Sequence, residues 1–393
     1  MIMDGRRRLL LAVVCGVAVA NVYAAQPVLG PMGRDLGLAP DLAGWIVAAG
    51  QLGYLAGLVL LVPLGDVTER RLLIAAQLAL TAFGALLTAT ASVAWQAFAG
   101  LATAGLFAVV VQTTVAYTAS VSSPDDRGRN IGVVTSGVVT GILGARVVTG
   151  TLAQLSGWRT GYAVLAVLAL GLAALVLLLL PAERPPRVAG GYRSALGALG
   201  GLFGQRLFLT RGLIAFFLFA SFGALWSGLS LPLAARPWEL SDAQIGLFGI
   251  AGLAGALGAV RAGRWADAGR TTRVTVAALS LLILSWAAIA QLPWSLWLLG
   301  AGIVLLDFAV QAVQVSNQHV LTTAYPDRTS GVLGGYMVFY SLGSALGAAT
   351  TTAVYTAHGW LGTGILGAGF AACALIIAVS ARRQARDEEP ALV

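Results

Sequence analysis

Residues 63–71 read PLGDVTERR and residues 263–270 read GRWADAGR. Each stretch sets an Asp beside Arg in a short loop between two apolar runs, and Asp66 and Asp267 stand 201 positions apart. Two more matches are offset by 201 or 202 positions. PDDRGRNIG (124–132) is echoed by PDRTSGVLG (326–334), and SGWR (156–159) by HGWL (358–361), which puts Trp158 and Trp360 202 positions apart. Three short matches at one offset, each in the equivalent loop, point to a parallel duplication of one helical unit.

Composition says what that unit is made of. Hydrophobic residues make up 58% of the chain, against roughly 45–50% in soluble domains, and charged residues 10% against roughly 25%. Apolar runs of the length that crosses a bilayer, about 20 residues, recur from end to end. Twelve can be read, near 9–31, 42–64, 72–91, 94–119, 131–153, 161–181, 211–232, 243–262, 273–290, 296–321, 331–356 and 360–381. They have helical length rather than the ten-residue alternation of barrel strands, which argues against an outer-membrane barrel. The expectation is an all-α membrane protein of twelve transmembrane helices in two pseudo-symmetric six-helix bundles. Residues 1–181 would form the first half and 211–393 the second. Residues 182–210, rich in Pro, Gly and Arg, would be a cytoplasmic interdomain linker with an amphipathic piece.

All 24 basic residues are Arg. They sit in short loops and not in a stripe interleaved with aromatics, so the net charge of +8 speaks for membrane orientation rather than nucleic acid. With the N-terminus inside, 20 Arg fall in inner segments and three, Arg34, Arg159 and Arg236, in outer loops, while Arg146 lies within a span. This asymmetry predicts a multi-pass protein of the bacterial inner membrane with both termini cytoplasmic. The opening MIMDGRRRLLLAVVCGVAVANVYAAQ has the pattern of a signal peptide. Its apolar character continues to about Met32, however, and it is read as an uncleaved first helix.

The missing Lys removes both a Walker-type ATPase and a pyridoxal Schiff base. Cys15 and Cys373 lie in separate apolar helices, and His319 and His358 are isolated, so neither a disulfide nor a metal site is expected. No span holds a nucleophile–base set. The chain is therefore not expected to be an enzyme, to carry catalytic residues or to bind a cofactor.

With both copies of the loop in view, the chain resembles the major facilitator superfamily along essentially its whole length. GDVTERR is similar to that family's signature between helices two and three, and GRWADAGR is its echo. NVYAAQP (21–27), GILGARVVTG (141–150) and LLDFAVQAVQVSNQ (305–318) resemble the drug and sugar efflux branch, including arabinose-type permeases. The chain departs from that branch in two places. Helix five has Gly137, Gly141, Gly144 and Gly150 but no Pro, with Arg146 in the signature region, and helix four carries Gln96 where a basic residue is usual.

The candidate residues fall into three sets. Asp66 with Arg70 and Arg71, and Asp267 with Arg270, would form the cytoplasmic gate that the resemblance implies, with orientation signalling and helix capping as the plainer roles. Asp307 is the one acidic residue in a predicted membrane interior, roughly 17 Å from the outer end of its span, and Gln311, Gln314 and Gln318 share its helix face. Gln112, 202 positions before Gln314, would take the matching place in the first half. Tyr23 and Gln26 on helix one, Phe219, Phe222 and Trp226 on helix seven, and Tyr336 and Tyr340 on helix eleven complete a candidate substrate cavity, with helix packing as the plainer reading. Arg146, roughly 10 Å from the outer end of helix five, is at a depth comparable with Asp307, and the two are expected to form a charge pair or proton-coupling pair.

These readings combine into a secondary active transporter acting by alternating access, a monomer whose partners are a small-molecule substrate, protons and lipid. Proton-coupled efflux of a drug-like or sugar-like compound by antiport is the leading expectation. A proton-coupled uptake symporter or facilitator for a sugar or organic anion, and a non-transporting membrane receptor, stay open beside it.

Overall fold

The structure is a computed structural model and describes residues 4–123, 126–183, 192, 197, 200–258, 271–325 and 329–388. Every regular element among them is helical. The reason is physical: in hydrocarbon each backbone N–H and C=O must find a partner within the chain, and a helix supplies one locally.

Nine described helices are long and apolar enough to cross a membrane. They are α2 (Gly44–Leu60), α3 (Arg70–Ala89), α4 (Ala94–Val121), α5 (Arg127–Ser156), α6 (Trp158–Leu179), α7 (Arg206–Ala234), α9 (Thr271–Ile289), α10 (Leu296–Ala324) and the run Thr329–Glu388. That run breaks at Gly359, so it holds two crossings, α11 (329–358) and α12 (360–388). The 19-residue α1 (Gly5–Tyr23), with Arg in its first turn, and the 17-residue α8 (Asp242–Gly258) bring the long helices to twelve among the described residues.

The chain divides into two compact units, Met1–Leu196 with Leu233–Gly249, and Gly197–Pro232 with Ile250–Val393. Within the first unit, small residues let backbones touch. A Cβ added at Gly137 or Gly141 of α5 would lie 2.0 Å from the carbonyl oxygen of Ala12 or 2.3 Å from that of Gly16 on α1. Gly53 and Gly57 of α2 meet α4 in the same way, at 2.0 Å from Ala102 O and 2.1 Å from Leu106 O. Ala82 and Ala85 of α3 pack on Ala166 and Ala169 of α6 against Val17 of α1.

The second unit repeats the device. Gly343 and Gly347 of α11 would put a Cβ 2.0 Å from Phe216 O and 2.1 Å from Ala220 O on α7. These two glycines stand 206 positions after Gly137 and Gly141, so the α1–α5 contact of one unit recurs as the α7–α11 contact of the other.

The repeated Gly-Trp pairs have a shared geometry too. Gly157 ends α5 with φ 82°, and Gly359 separates α11 from α12 with φ 65°, both in the left-handed region that glycine adopts at low cost. The following indoles then fasten the corner. Trp158 Nε1 donates to Asp35 Oδ2 at 3.0 Å, and Trp360 Nε1 donates to the carbonyl of Ile289 at 2.9 Å.

Candidate functional site

In the first unit, α5 carries Arg146 into the packed interior, where it is 2% exposed. Its Nε donates to Gln26 Oε1 at 3.0 Å, and its guanidinium carbon sits 5.8 Å from the ring centroid of Tyr23, at the edge of cation–π range. One turn further, Thr149 Oγ1 donates to the carbonyl of Ala24 at 3.2 Å. Arg146, Tyr23 and Gln26 are thus one cluster, held where α1 ends and the chain turns. The start of α8 closes over it, since a Cβ at Gly246 would lie 2.5 Å from Arg146 O and one at Gly150 would lie 2.4 Å from Asp242 O. That start is itself capped reciprocally: Gln244 N donates to Ser241 Oγ at 3.4 Å and Ser241 N to Gln244 Oε1 at 2.9 Å.

Gln112 lies elsewhere in the unit and has a specific partner. Its Nε2 donates to Tyr54 Oη at 3.1 Å, linking α4 to α2. Gln51, three residues before Tyr54 on the buried face of α2, is wholly buried, and neither of its amide atoms has a hydrogen-bond partner among the described residues. Neither Tyr54 nor Gln51 was singled out from the sequence. The available signal was the i, i+3 spacing of two polar side chains on one face of an apolar helix.

The Arg-rich end of this unit is tied by side chains to the end of α6. Arg70 Nη1 pairs with Glu183 Oε1 at 3.1 Å, and Ser120 Oγ donates to the other oxygen of the same carboxylate. Arg71 Nη1 donates to Leu180 O at 3.2 Å, Arg7 Nε to Leu179 O at 3.3 Å, and Tyr117 Oη to Pro181 O at 2.9 Å. The final carbonyls of a helix have no partner inside it and carry partial negative charge, so cationic donors suit them. Glu183 escaped the sequence reading because it stands 113 positions from Arg70 in a Pro-rich stretch without helical periodicity. The Asp66 side chain, Asp267 and Arg270 lie outside the described residues. Gln96 turns back on the α3–α4 corner, with Nε2 donating to Leu87 O and to Thr90 Oγ1, each at 3.3 Å.

In the second unit, α10 carries Asp307, which is 6% exposed. Two glycines of α8 make its space: a Cβ at Gly252 would lie 3.0 Å from Asp307 Oδ2 and 2.9 Å from Trp226 Cζ2, and one at Gly255 would lie 3.0 Å from Asp307 Cβ. The carboxylate and the Trp226 indole therefore border the same small gap. Trp226 is one end of a ladder of rings. Phe222 lies 6.3 Å from it, Phe219 lies 5.9 Å from Phe222, and Tyr340 of α11 lies 4.0 Å from Phe219. Gln311, Gln314 and Gln318 are partly exposed. Tyr336 joins a separate group, accepting from Asn317 Nδ2 at 3.5 Å. The glycines that leave room for Asp307 could be seen as small residues in the sequence, but which helix they faced could not.

The sequence matches the Major Facilitator Superfamily over residues 11–232 and again over 211–392. The chain belongs to that superfamily and is a multi-pass membrane transporter, not an enzyme. It is 41% identical over 369 residues to the uncharacterized transporter YgaY of Escherichia coli O157:H7, spanning 94% of this chain and 93% of that one. It is 34% identical over 356 residues to the "Probable transporter SCO4007" of Streptomyces coelicolor, spanning 90% and 82%. Among solved structures, its fold is similar to that of a bacterial homologue of the human lysosomal transporter Spinster, with a TM-score of 0.76, 15% identity, and 95% and 94% of the two chains covered.

Proposed function

We propose that the chain exports a small amphipathic organic solute from the cytoplasm in exchange for protons, with Asp307 as the proton-binding group. The observation that carries this reading is the buried Asp307 carboxylate beside Trp226 and the ring ladder. An acid at that depth is costly to leave ionised, and taking up a proton removes that cost. The neighbouring rings offer an apolar, polarisable wall to a solute.

The polar face of α10 supports a water-filled path. Gln311, Gln314 and Gln318 keep partly exposed amides that bond to no described side chain. Amides so placed on a membrane-spanning helix would be expensive against lipid. Arg146 with Gln26 and Tyr23 offers the solute a polar handle in the first unit. The excess of Arg in alternate loops supports an inner-membrane location with both termini cytoplasmic.

The test is transport in liposomes under an imposed pH gradient, screening labelled drugs and sugars with wild type and Asp307→Asn. Wild type is expected to accumulate a solute against its gradient. Asp307→Asn is expected to lose that accumulation yet still exchange solute for solute. Full gradient-driven transport by Asp307→Asn excludes it as the proton carrier.

A further inference from the structure

The end of the second unit at which α7 begins holds a charge that proton-coupled transport leaves unused. Arg211 lies five residues into α7, about 7.5 Å along its axis. Its Nη1 donates to Asn317 Oδ1 at 3.2 Å, and Asn317 Nδ2 donates to Tyr336 Oη at 3.5 Å. Asn317 stands seven residues before the end of α10 and Tyr336 seven after the start of α11, each about 10 Å in. Three helices thus bring three polar side chains to one level, and Asn317 and Tyr336 are wholly buried there.

What this cluster leaves unspent is donors. Asn317 commits its oxygen to Arg211 and its amide N–H to Tyr336. Tyr336 accepts that bond, and its own O–H donates to no acceptor among the described residues. Arg211 Nε is buried with no partner there. A guanidinium only donates and stays charged, and the ion pairs among the described residues involve other arginines. A cation partly withdrawn from water with neutral partners alone is costly, and the positive end of α7 adds to the cost.

The first unit shows what a closed version looks like. Arg8 Nη1 donates to Asn130 Oδ1 at 3.2 Å, and Asn130 Nδ2 to Ser122 Oγ at 2.9 Å. There the hydroxyl passes the chain on, since Ser122 Oγ donates to the carbonyl of Thr118 at 2.7 Å. In the second unit the chain stops at an uncommitted hydroxyl.

We propose that Arg211 and Tyr336 bind one anionic group, a phosphate or carboxylate, with Asn317 as the positioning residue that holds the guanidinium. Asn317 is ten residues from Asp307, about 15 Å along α10, so this site is separate from the one assigned to proton binding. The anion could be supplied by a lipid headgroup or by a soluble metabolite.

The test is thermal unfolding of purified protein, first in detergent with inorganic phosphate or acetate titrated at constant ionic strength. A second arm uses lipid nanodiscs with or without phosphatidylglycerol. Wild type is expected to gain Tm saturably with a soluble anion, or with phosphatidylglycerol if lipid is the source. Arg211→Gln should lose that gain and, without anion, melt no lower than wild type. Tyr336→Phe, which keeps the Arg211–Asn317 bond, should weaken apparent affinity by about tenfold, the worth of one hydrogen bond to a charged group. The proposal is overturned if neither anion source stabilises wild type, or if Arg211→Gln keeps the full gain. Should Arg211→Gln fail to fold, an unchanged anion response in Tyr336→Phe overturns it instead.

Discussion

The two units share a skeleton and differ in chemistry. Both use glycines to press their first and fifth helices together, Gly137 and Gly141 on α1 in one, Gly343 and Gly347 on α7 in the other. Both turn a corner through a left-handed Gly followed by an anchored Trp. Yet the first unit buries a cation, Arg146, on an amide and a tyrosine, while the second buries an acid, Asp307, next to a ladder of rings. Backbone contacts demand a small residue in both copies and so persist through duplication. Polar side chains are under no such steric demand and are free to diverge.

The skeleton gives the largest expected effect. Gly137→Val and Gly343→Val each drive a side chain into a carbonyl oxygen that would lie only 2.0 Å from the new Cβ. Each should destabilise its unit by about 3 kcal/mol or more, the upper range for overpacking, and abolish recovery of monodisperse protein. Gly144, where an added Cβ meets nothing within 4 Å, is the control. Gly144→Ala should be neutral or gain up to about 1 kcal/mol of helix propensity. A normal melting curve for Gly343→Val beside a collapsed Gly137→Val would break the equivalence of the two contacts.

The divergent charges come next. The sequence reading expects Arg146 and Asp307 to form a pair of opposite sign, and exchanging the two residues tests that expectation directly. Arg146→Asp and Asp307→Arg alone should each reduce gradient-driven transport to background, because each leaves two like charges. The double exchange should recover a measurable part of it. A double variant no better than either single one ends the idea of a pair.

The smallest effect belongs to the surface of the first unit. Asp35 accepts from Arg159 Nη1 at 2.8 Å and from Trp158 Nε1 at 3.0 Å, and those bonds hold its carboxyl below the usual carboxylate range. Because the folded value is depressed, the contribution to stability is present above the unfolded value near 4 and is lost as pH falls through the folded one. The pair is half exposed, so solvent screening keeps the effect under about 1 kcal/mol. Melting temperatures of wild type and Asp35→Asn should therefore differ slightly at pH 6 and converge toward pH 3. Trp360, whose indole bonds a backbone carbonyl instead of a carboxylate, offers no such titration.

Much of the fold was legible because its causes are local or periodic. SGWR and HGWL match in the sequence itself, and the structure supplies the reason in the positive φ of Gly157 and Gly359. The site was legible only in parts. Tyr23 and Gln26 were visible as one face of a helix, and Arg146 as a charge out of place. Their meeting was not, because it depends on α5 lying against α1 at a particular rotation. Glu183, Tyr54 and Gln51 went unnoticed for the same reason, each being ordinary until its neighbours are known. Arg211 counted only as one more loop arginine until Asn317 and Tyr336 were found beside it.

By itself the sequence determined the duplication, the helical class and the membrane setting. Bilayer thickness sets the length of each apolar run, and hydrocarbon forces the backbone to satisfy itself within helices. The tertiary structure alone decided which buried charge meets which partner. Those partners stand far apart in the chain, 120 positions for Arg146 and Gln26 and 106 for Arg211 and Asn317. Hydropathy is nearly the same for every rotation and neighbour of an apolar helix. Only the packing of small residues against backbone selects one of them, and with it the chemistry each charge can perform.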